Sequence, residues 1–177
     1  MSILTTNYYE LFGLQQNFQV ELKELESVYH VLQQEHHPDK FAGADESQKM
    51  QAVQATSFIN SAYETLKSPL LRAGYLLTLR DVNVESVTQA DLGMDLLMEQ
   101  MQMREALADL PVDASSLQQL DSLRSEVQAK IRSREQAFVA GLSADDLTLA
   151  KKVFHEMQFL FKLLAEINAG EEQRLGY

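Results

Sequence analysis

Four consecutive residues, His37-Pro38-Asp39-Lys40, gather an imidazole, a carboxylate and an ammonium around a proline. Three readings are open to such a grouping. It can be an ordinary turn. It can be part of a metal site built from His36, His37 and Asp39, although neighbouring residues rarely converge on one ion and no further ligand is indicated. Or it can be a recognition loop: the proline stiffens the chain, and a histidine at a helix C-terminus sits where the helix dipole favours its cation. The Asp39 carboxylate would then stand free for a charge-assisted bond to an arginine of a partner. Rigid exposed loops suit that task. Other chemistry is poorly supplied. The chain has no cysteine, which removes disulfides, thiolate metal sites and thiol nucleophiles. Carboxylates abound, but none pairs with a histidine or a nucleophile at a spacing that demands catalysis. His155 is a lone histidine on a helix and reads as solvated. No glycine-rich loop could cradle a phosphate, so the chain is not expected to bind ATP. It is expected to be neither an enzyme nor the holder of a metal or cofactor.

The elements that must position these residues read as helices almost throughout. Tyr8–Leu14 is a short apolar stretch ended by Gly13. From Val20 to His36 the apolar residues Leu22, Leu25, Tyr29 and Leu32 recur at helical spacing on one face. Pro38 stops that helix, because the residue before a proline is pushed out of the α region. Phe41–Asp45 reads as loop. A second long helix spans Asp45–Lys67 with the seam Ala52, Ala55, Ile59, Ala62 and Leu66, whose alanines permit close approach to the first. Leu70–Leu79 makes a further short helix. Two antiparallel helices joined by a loop form a helical hairpin. Arg80–Gln89 has no helical period and reads as an interdomain linker. Three helices follow: Asp91–Leu110, closed by Pro111; a second from the N-cap Asp113 to Gly141 with Leu117, Leu120, Val127, Ile131 and Phe138; and a third from Ser143 to Gly170, with Asp146 completing a capping-box variant. The last carries Ala150, Val153, Phe154, Met157, Leu160, Phe161, Leu164 and Ile167. The expected fold is all-α: a helical hairpin with short flanking helices, then a three-helix bundle.

Charge excludes several partners. The net charge is −11, from 15 basic and 26 acidic side chains. Residues 1–75 carry −4 and the remainder −7. Nucleic acid and anionic membrane surfaces call for clustered lysine and arginine, so neither is expected as a partner. No run of about 18 apolar residues occurs, so no membrane span is expected. The first twenty residues resemble neither a secretory signal nor a transit peptide. A cytoplasmic location follows as the expectation, bacterial in preference to a processed organellar form.

The helix Asp91–Leu110 has one apolar stripe more than a bundle requires. Leu92, Leu96, Met103, Leu107 and Leu110 fall within roughly 60° on a helical wheel and suffice to pack it. Met94, Leu97, Met98 and Met101 form a second stripe on nearly the opposite side, bordered by Arg104 and Glu105. An apolar stripe rimmed by charge suggests a protein-binding surface, and methionines suit adaptable contacts. On the third helix, Phe159 points roughly 160° from the core stripe centred on Met157, with Leu163 on its flank. An outward phenylalanine is a plausible anchor for a partner. Packing against the first domain or a dimer mate is the alternative.

A histidine-proline-aspartate turn between two helices resembles the J domain. The neighbours agree: Tyr8-Tyr9-Glu10-Leu11-Phe12-Gly13-Leu14 before it, and Ile59-Asn60-Ser61-Ala62-Tyr63-Glu64-Thr65-Leu66 with Pro69 and Arg72 after it. The likeness covers roughly residues 7–79. With Phe41, Leu70-Leu71-Arg72-Ala73-Gly74-Tyr75-Leu76-Leu77 and the second helical domain, the whole chain is similar to the HscB family, J-type co-chaperones of iron–sulfur cluster assembly. That resemblance implies a J domain over 1–79, a linker over 80–90 and a scaffold-binding domain over 91–177. It implies stimulation of a specialised Hsp70-type ATPase (HscA-like) through His37, Pro38, Asp39 and Lys40, with Lys23 and His30 beside them. It implies that an iron–sulfur scaffold protein (IscU-like) binds at Leu97, Met98, Met101, Arg104, Glu105 and Phe159. A general J-domain adaptor carrying a different client is the alternative. One departure is visible: the helix entering the turn offers only Lys23 against Glu21, Glu24, Glu26 and Glu35, so the basic patch usual in J domains is thin.

Overall fold

The computed structural model describes residues 3–88 and 91–176. Every regular element among them is helical. The chain divides into two compact units at the Leu76–Leu77 bond, inside the last turn of a helix.

The first unit holds α1 (Tyr8–Leu11), α2 (Leu22–His36), α3 (Glu46–Lys67) and most of α4 (Pro69–Thr78). Asn7 caps α1 by accepting from the Glu10 N–H while Glu10 returns the bond to Asn7 N–H, which satisfies two donors that the helix start leaves free. Gly13, at φ +66°, ends it: its N–H reaches Glu10 O, and Leu14 N–H reaches Tyr9 O. Glycine takes that left-handed conformation without the Cβ clash that most residues meet there. The hairpin α2–α3 closes on the seam Ala52, Ala55, Ile59, Ala62 and Leu66, all buried as the spacing predicts. On α2 the seam begins one turn later than expected. Leu22 is exposed and Leu25 is the first fully buried residue, because a side chain in the first turn leans back past the helix start. Tyr29 and Tyr63 stack at 3.9 Å between centroids, and the Tyr29 hydroxyl donates to Asn60 Oδ1 at 2.9 Å. At the other end of the hairpin, the buried Arg72 donates to the carbonyls of Leu66 and Phe18 at 2.7 and 2.6 Å. A cation here meets the negative end of the α3 dipole. The Tyr9 hydroxyl donates to Asn17 O at 2.8 Å, and burial pushes that phenol well above its ordinary value, Arg72 partly opposing.

The second unit holds α5 (Met94–Ala108), α6 (Leu117–Ser143) and α7 (Leu147–Leu175). Its core gathers Met103 from α5, Leu120, Leu123, Val127 and Ile131 from α6, and Leu160, Leu163 and Ile167 from α7. Both α5 and α6 pack on α7, so α7 buries two faces. That corrects the wheel reading of α7: Leu163 is fully buried and Phe159 is half-buried against the core. His155 is buried too, not solvated. Gln158 Oε1 lies 2.9 Å from its Nδ1, a polar contact that holds the ring in place.

Helix ends also differ from the expectation. Ser143 closes α6 and does not open α7; Asp146 is the N-cap of α7, accepting from Leu149 N–H. Between them Asp145 takes a left-handed conformation at φ +55°, and its N–H and that of Asp146 reach Leu142 O and Gly141 O. Gly141 lies inside α6, where a Cβ would stand 3.3 Å from Ala150 N; its missing side chain lets the two helices meet at their turn. Gly170 does not end α7, which runs to Leu175 and stops at Gly176, φ +80°. Arg174 carries the extra turn inward. It donates to Gly170 O at 2.8 Å, to Pro111 O at 3.0 Å and to Ser116 Oγ at 2.8 Å, clamping the α5–α6 loop.

The stretch read as a linker is tied down on the second unit, except for Gln89 and Ala90, which lie outside the described residues. Arg80 pairs with Asp145 at 3.0 Å. Asp91 does not start a helix. It is buried, accepts from Thr88 N–H and Oγ1 at 2.7 Å each, and pairs with Lys151 at 3.3 Å. Burial opposes its charge, but the two Thr88 bonds and Lys151 prevail and hold the carboxyl below its ordinary value. Gly93 is therefore the N-cap of α5.

Candidate functional site

The His37-Pro38-Asp39-Lys40 turn is built from both sides. Pro38 forces His37 out of the α region (φ −61°, ψ 130°), and a 3-10 turn over Pro38–Phe41 follows where loop was expected. Lys40 N–H closes onto His37 O at 3.0 Å, and Asp39 N–H onto His37 Nδ1 at 3.3 Å. In the second bond the Nδ1 lone pair accepts, so the ring caps the turn that follows it. Asp39 Oδ2 lies 3.5 Å from the same Nδ1. That contact and the backbone bond are alternatives on one nitrogen: the first needs a proton on Nδ1 and the second its lone pair. The turn is anchored to α3 by Thr56, whose hydroxyl donates to His36 O at 3.0 Å, satisfying a carbonyl that the helix end leaves open. Phe41 follows, half-buried in a recess with Leu32, His36, Ala52 and Ala55. The result is a stiff turn whose Asp39 side chain is 92% exposed.

Of the residues expected to meet a partner, His30, His37 and Lys40 line one shallow recess together with Gln33 and Gln34. Lys23, His37, Asp39 and Lys40 are exposed, and Pro38 is half-buried. Lys23 and Asp39 do not line the recess. His30 also stands 3.9 Å from Glu26 Oε1, so the acidity of α2 reaches the recess itself. Sequence reasoning missed Thr56, Gln33 and Gln34. Thr56 could have been found, since it follows the seam residue Ala55 and can face the end of α2.

In the second unit the surplus stripe lies in water: Met94, Leu97, Met98 and Met101 are exposed, while Leu96 and Met103 are buried. Leu92, assigned to the packing stripe, is exposed as well. Arg104 lies over the Phe159 ring, 5.6 Å from its centroid, and pairs with Glu166 at 3.7 Å. Phe159 is thus roofed by a guanidinium and is less open than its wheel position implied. Glu105 is exposed. Glu99, on the flank of the stripe, pairs with Lys130 at 2.5 Å and Arg134 at 3.5 Å, and Arg134 also pairs with Glu156. The sequence offered no signal for this network, whose members are far apart along the chain.

No group of three or more metal-binding side chains occurs among the described residues, and none of their helices is long and apolar enough to cross a membrane.

A helical hairpin turned by histidine-proline-aspartate, followed by a helical bundle, defines a J-domain co-chaperone. Residues 7–75 match the DnaJ domain, and residues 92–168 match the HSCB C-terminal oligomerisation domain. The chain belongs to the HscB family, as the resemblance implied. It is 37% identical over 166 residues to the co-chaperone protein HscB homolog of Aeromonas salmonicida, covering 94% of this chain and 96% of the relative. The Vibrio cholerae homolog is 36% identical over 170 residues, with 96% and 99% covered. Among solved structures, chaperone HscB from Vibrio cholerae aligns with a TM-score of 0.86 at 35% identity, covering 95% of this chain and 99% of that one. Human co-chaperone HscB aligns at 0.87 and 26% identity, with 94% and 83% covered.

Proposed function

We propose that this chain is a non-enzymatic adaptor in iron–sulfur cluster biogenesis. Its J domain, residues 1–79, stimulates ATP hydrolysis by an HscA-like Hsp70 through His37, Pro38, Asp39 and Lys40, with Lys23 and His30 beside them. Residues 80–90 connect it to residues 91–177, which present an IscU-like scaffold at Leu97, Met98, Met101, Arg104, Glu105 and Phe159. The whole acts in the cytoplasm, without membrane or nucleic acid. Joining two binding surfaces in one chain makes the second encounter quasi-intramolecular.

The observation that carries this reading is the Asp39 carboxylate, 92% exposed on a turn fixed at both ends. A charge presented on a stiff turn is recognised with little ordering cost. Asp39→Asn keeps the shape and removes the charge. It is expected to abolish stimulation in a single-turnover ATPase assay with the cognate Hsp70 while leaving helicity unchanged. Stimulation equal to wild type refutes the reading.

A second reading concerns the stripe on α5. The matched family description names oligomerisation, and the exposed Met94–Met101 surface could receive a second copy of the chain. Sedimentation of the chain alone separates the two: a monomer at micromolar concentration leaves the stripe for the scaffold.

A further inference from the structure

Sulfur in this protein is distributed unevenly. There is no cysteine, and there are seven methionines. Met103 and Met157 are buried, and Met1 lies outside the described residues. Three others stand together on α5: Met94, Met98 and Met101 are 72%, 54% and 72% exposed. Their spacing puts the three thioethers on one face, the same face that Leu97 extends. Met50 is 63% exposed but lies on α3, in the other unit. With no thiol to intercept an oxidant, the thioethers are the protein's only sulfur targets.

We propose that Met94, Met98 and Met101 form an oxidative modification site, at which a hydroperoxide converts the apolar stripe into a polar one and turns off client docking. The proposal rests on the reading of that stripe as the scaffold-binding surface. In each event a sulfur lone pair attacks one oxygen of hydrogen peroxide. The S–O bond forms as the O–O bond breaks, the sulfur loses two electrons, and the departing hydroxide takes the proton of the new S–OH group and leaves as water. The product is a sulfoxide, which a thiol-dependent sulfoxide reductase converts back. A sulfoxide oxygen must give up water when a partner covers it, and an unpaired polar group is costly to bury. The His37–Lys40 turn contains no sulfur, so the Hsp70-directed activity is insulated. Oxidation would therefore uncouple the two halves: client holding is lost and ATPase stimulation stays.

The test exposes the full chain to hydrogen peroxide, removes the oxidant, and maps the added oxygen by peptide mass spectrometry. Scaffold binding is then titrated and Hsp70 stimulation measured without scaffold. The expected result is sulfoxide at Met94, Met98, Met101 and Met50, little at Met103 and Met157, and scaffold affinity weakened about tenfold or more. Stimulation stays unchanged, and sulfoxide reductase restores binding. Met50→Leu keeps the full peroxide effect. M94L/M98L/M101L, whatever its starting affinity, shows no change with peroxide. The proposal is overturned if the stripe is oxidised and affinity holds, or if the triple variant still loses affinity. An unoxidised Met98→Asp chain that binds scaffold as wild type does is a different failure: it removes the docking reading itself, and the proposal with it.

Discussion

Thr56 supplies the side-chain bond that fastens the His37–Lys40 turn to α3. One hydroxyl, 3.0 Å from His36 O, joins the end of α2 to α3 at the point where Pro38 turns the chain. Thr56→Val keeps the shape and leaves that carbonyl without its donor, which costs about 1–3 kcal/mol. It is expected to shift the denaturant midpoint and also to reduce maximal Hsp70 stimulation, whereas Thr56→Ser retains both. Lost stability with unchanged stimulation would mean that Phe41 and the backbone bonds aim the turn unaided. The thinness of the basic patch adds to the weight on this turn. Long-range steering by charge is weak on a helix that carries Glu24, Glu26 and Glu35 behind a Glu21 cap, so under the proposed function more of the recognition falls to Asp39.

At the scale of elements, α5 stands apart from its neighbours. It buries only Leu96 and Met103, and ion pairs supplement that packing: Glu99 with Lys130 and Arg134, and Arg104 with Glu166. Partly buried pairs of this kind lose their balance when one partner is removed. Glu99→Gln is expected to speed amide hydrogen exchange along α5 by about fivefold, about 1 kcal/mol of local stability, while α6 is unchanged. Uniform acceleration across the unit would place the effect in the core instead. The same element explains what could be read in advance. The apolar period of α3 is strict because that helix has one buried face, and each of its seam residues was legible. α7 lies under both α5 and α6, so its apolar residues point in two directions and a single-stripe reading misplaced Phe159 and Leu163. Its end was misread at Gly170 because Arg174, whose partners are remote in sequence, gives the helix a further turn.

For the molecule as a whole, the all-helical fold, a hairpin followed by a bundle, was legible from periodicity and from the helix stops at Pro38 and Pro111. The ion pairs that tether residues 80 and 91 within the second unit were not, since Arg80–Asp145 and Asp91–Lys151 connect residues some sixty positions apart. Asp91 makes that tether sensitive to acid. A carboxyl held low in the folded state contributes stability above its ordinary value of 3.8, and that contribution is lost as pH falls through the lower folded value. Unfolding of wild type between pH 6 and pH 2, roughly spanning that window, should therefore steepen at its acid end relative to Asp91→Asn, with the two curves converging at the lowest pH. Parallel curves would mean that Thr88 and Lys151 contribute nothing through the charge.

The Arg174 clamp carries a consequence for where this chain can be cut or fused. A boundary drawn at Gly170, where the sequence suggests a stop, deletes the side chain that fastens Pro111 and Ser116. The loop between α5 and α6 would then be a new target for proteases, at the base of the very helix that displays the methionines. A tag joined after Gly176 leaves that fastening intact, because the left-handed residue there already turns the chain away from the helix.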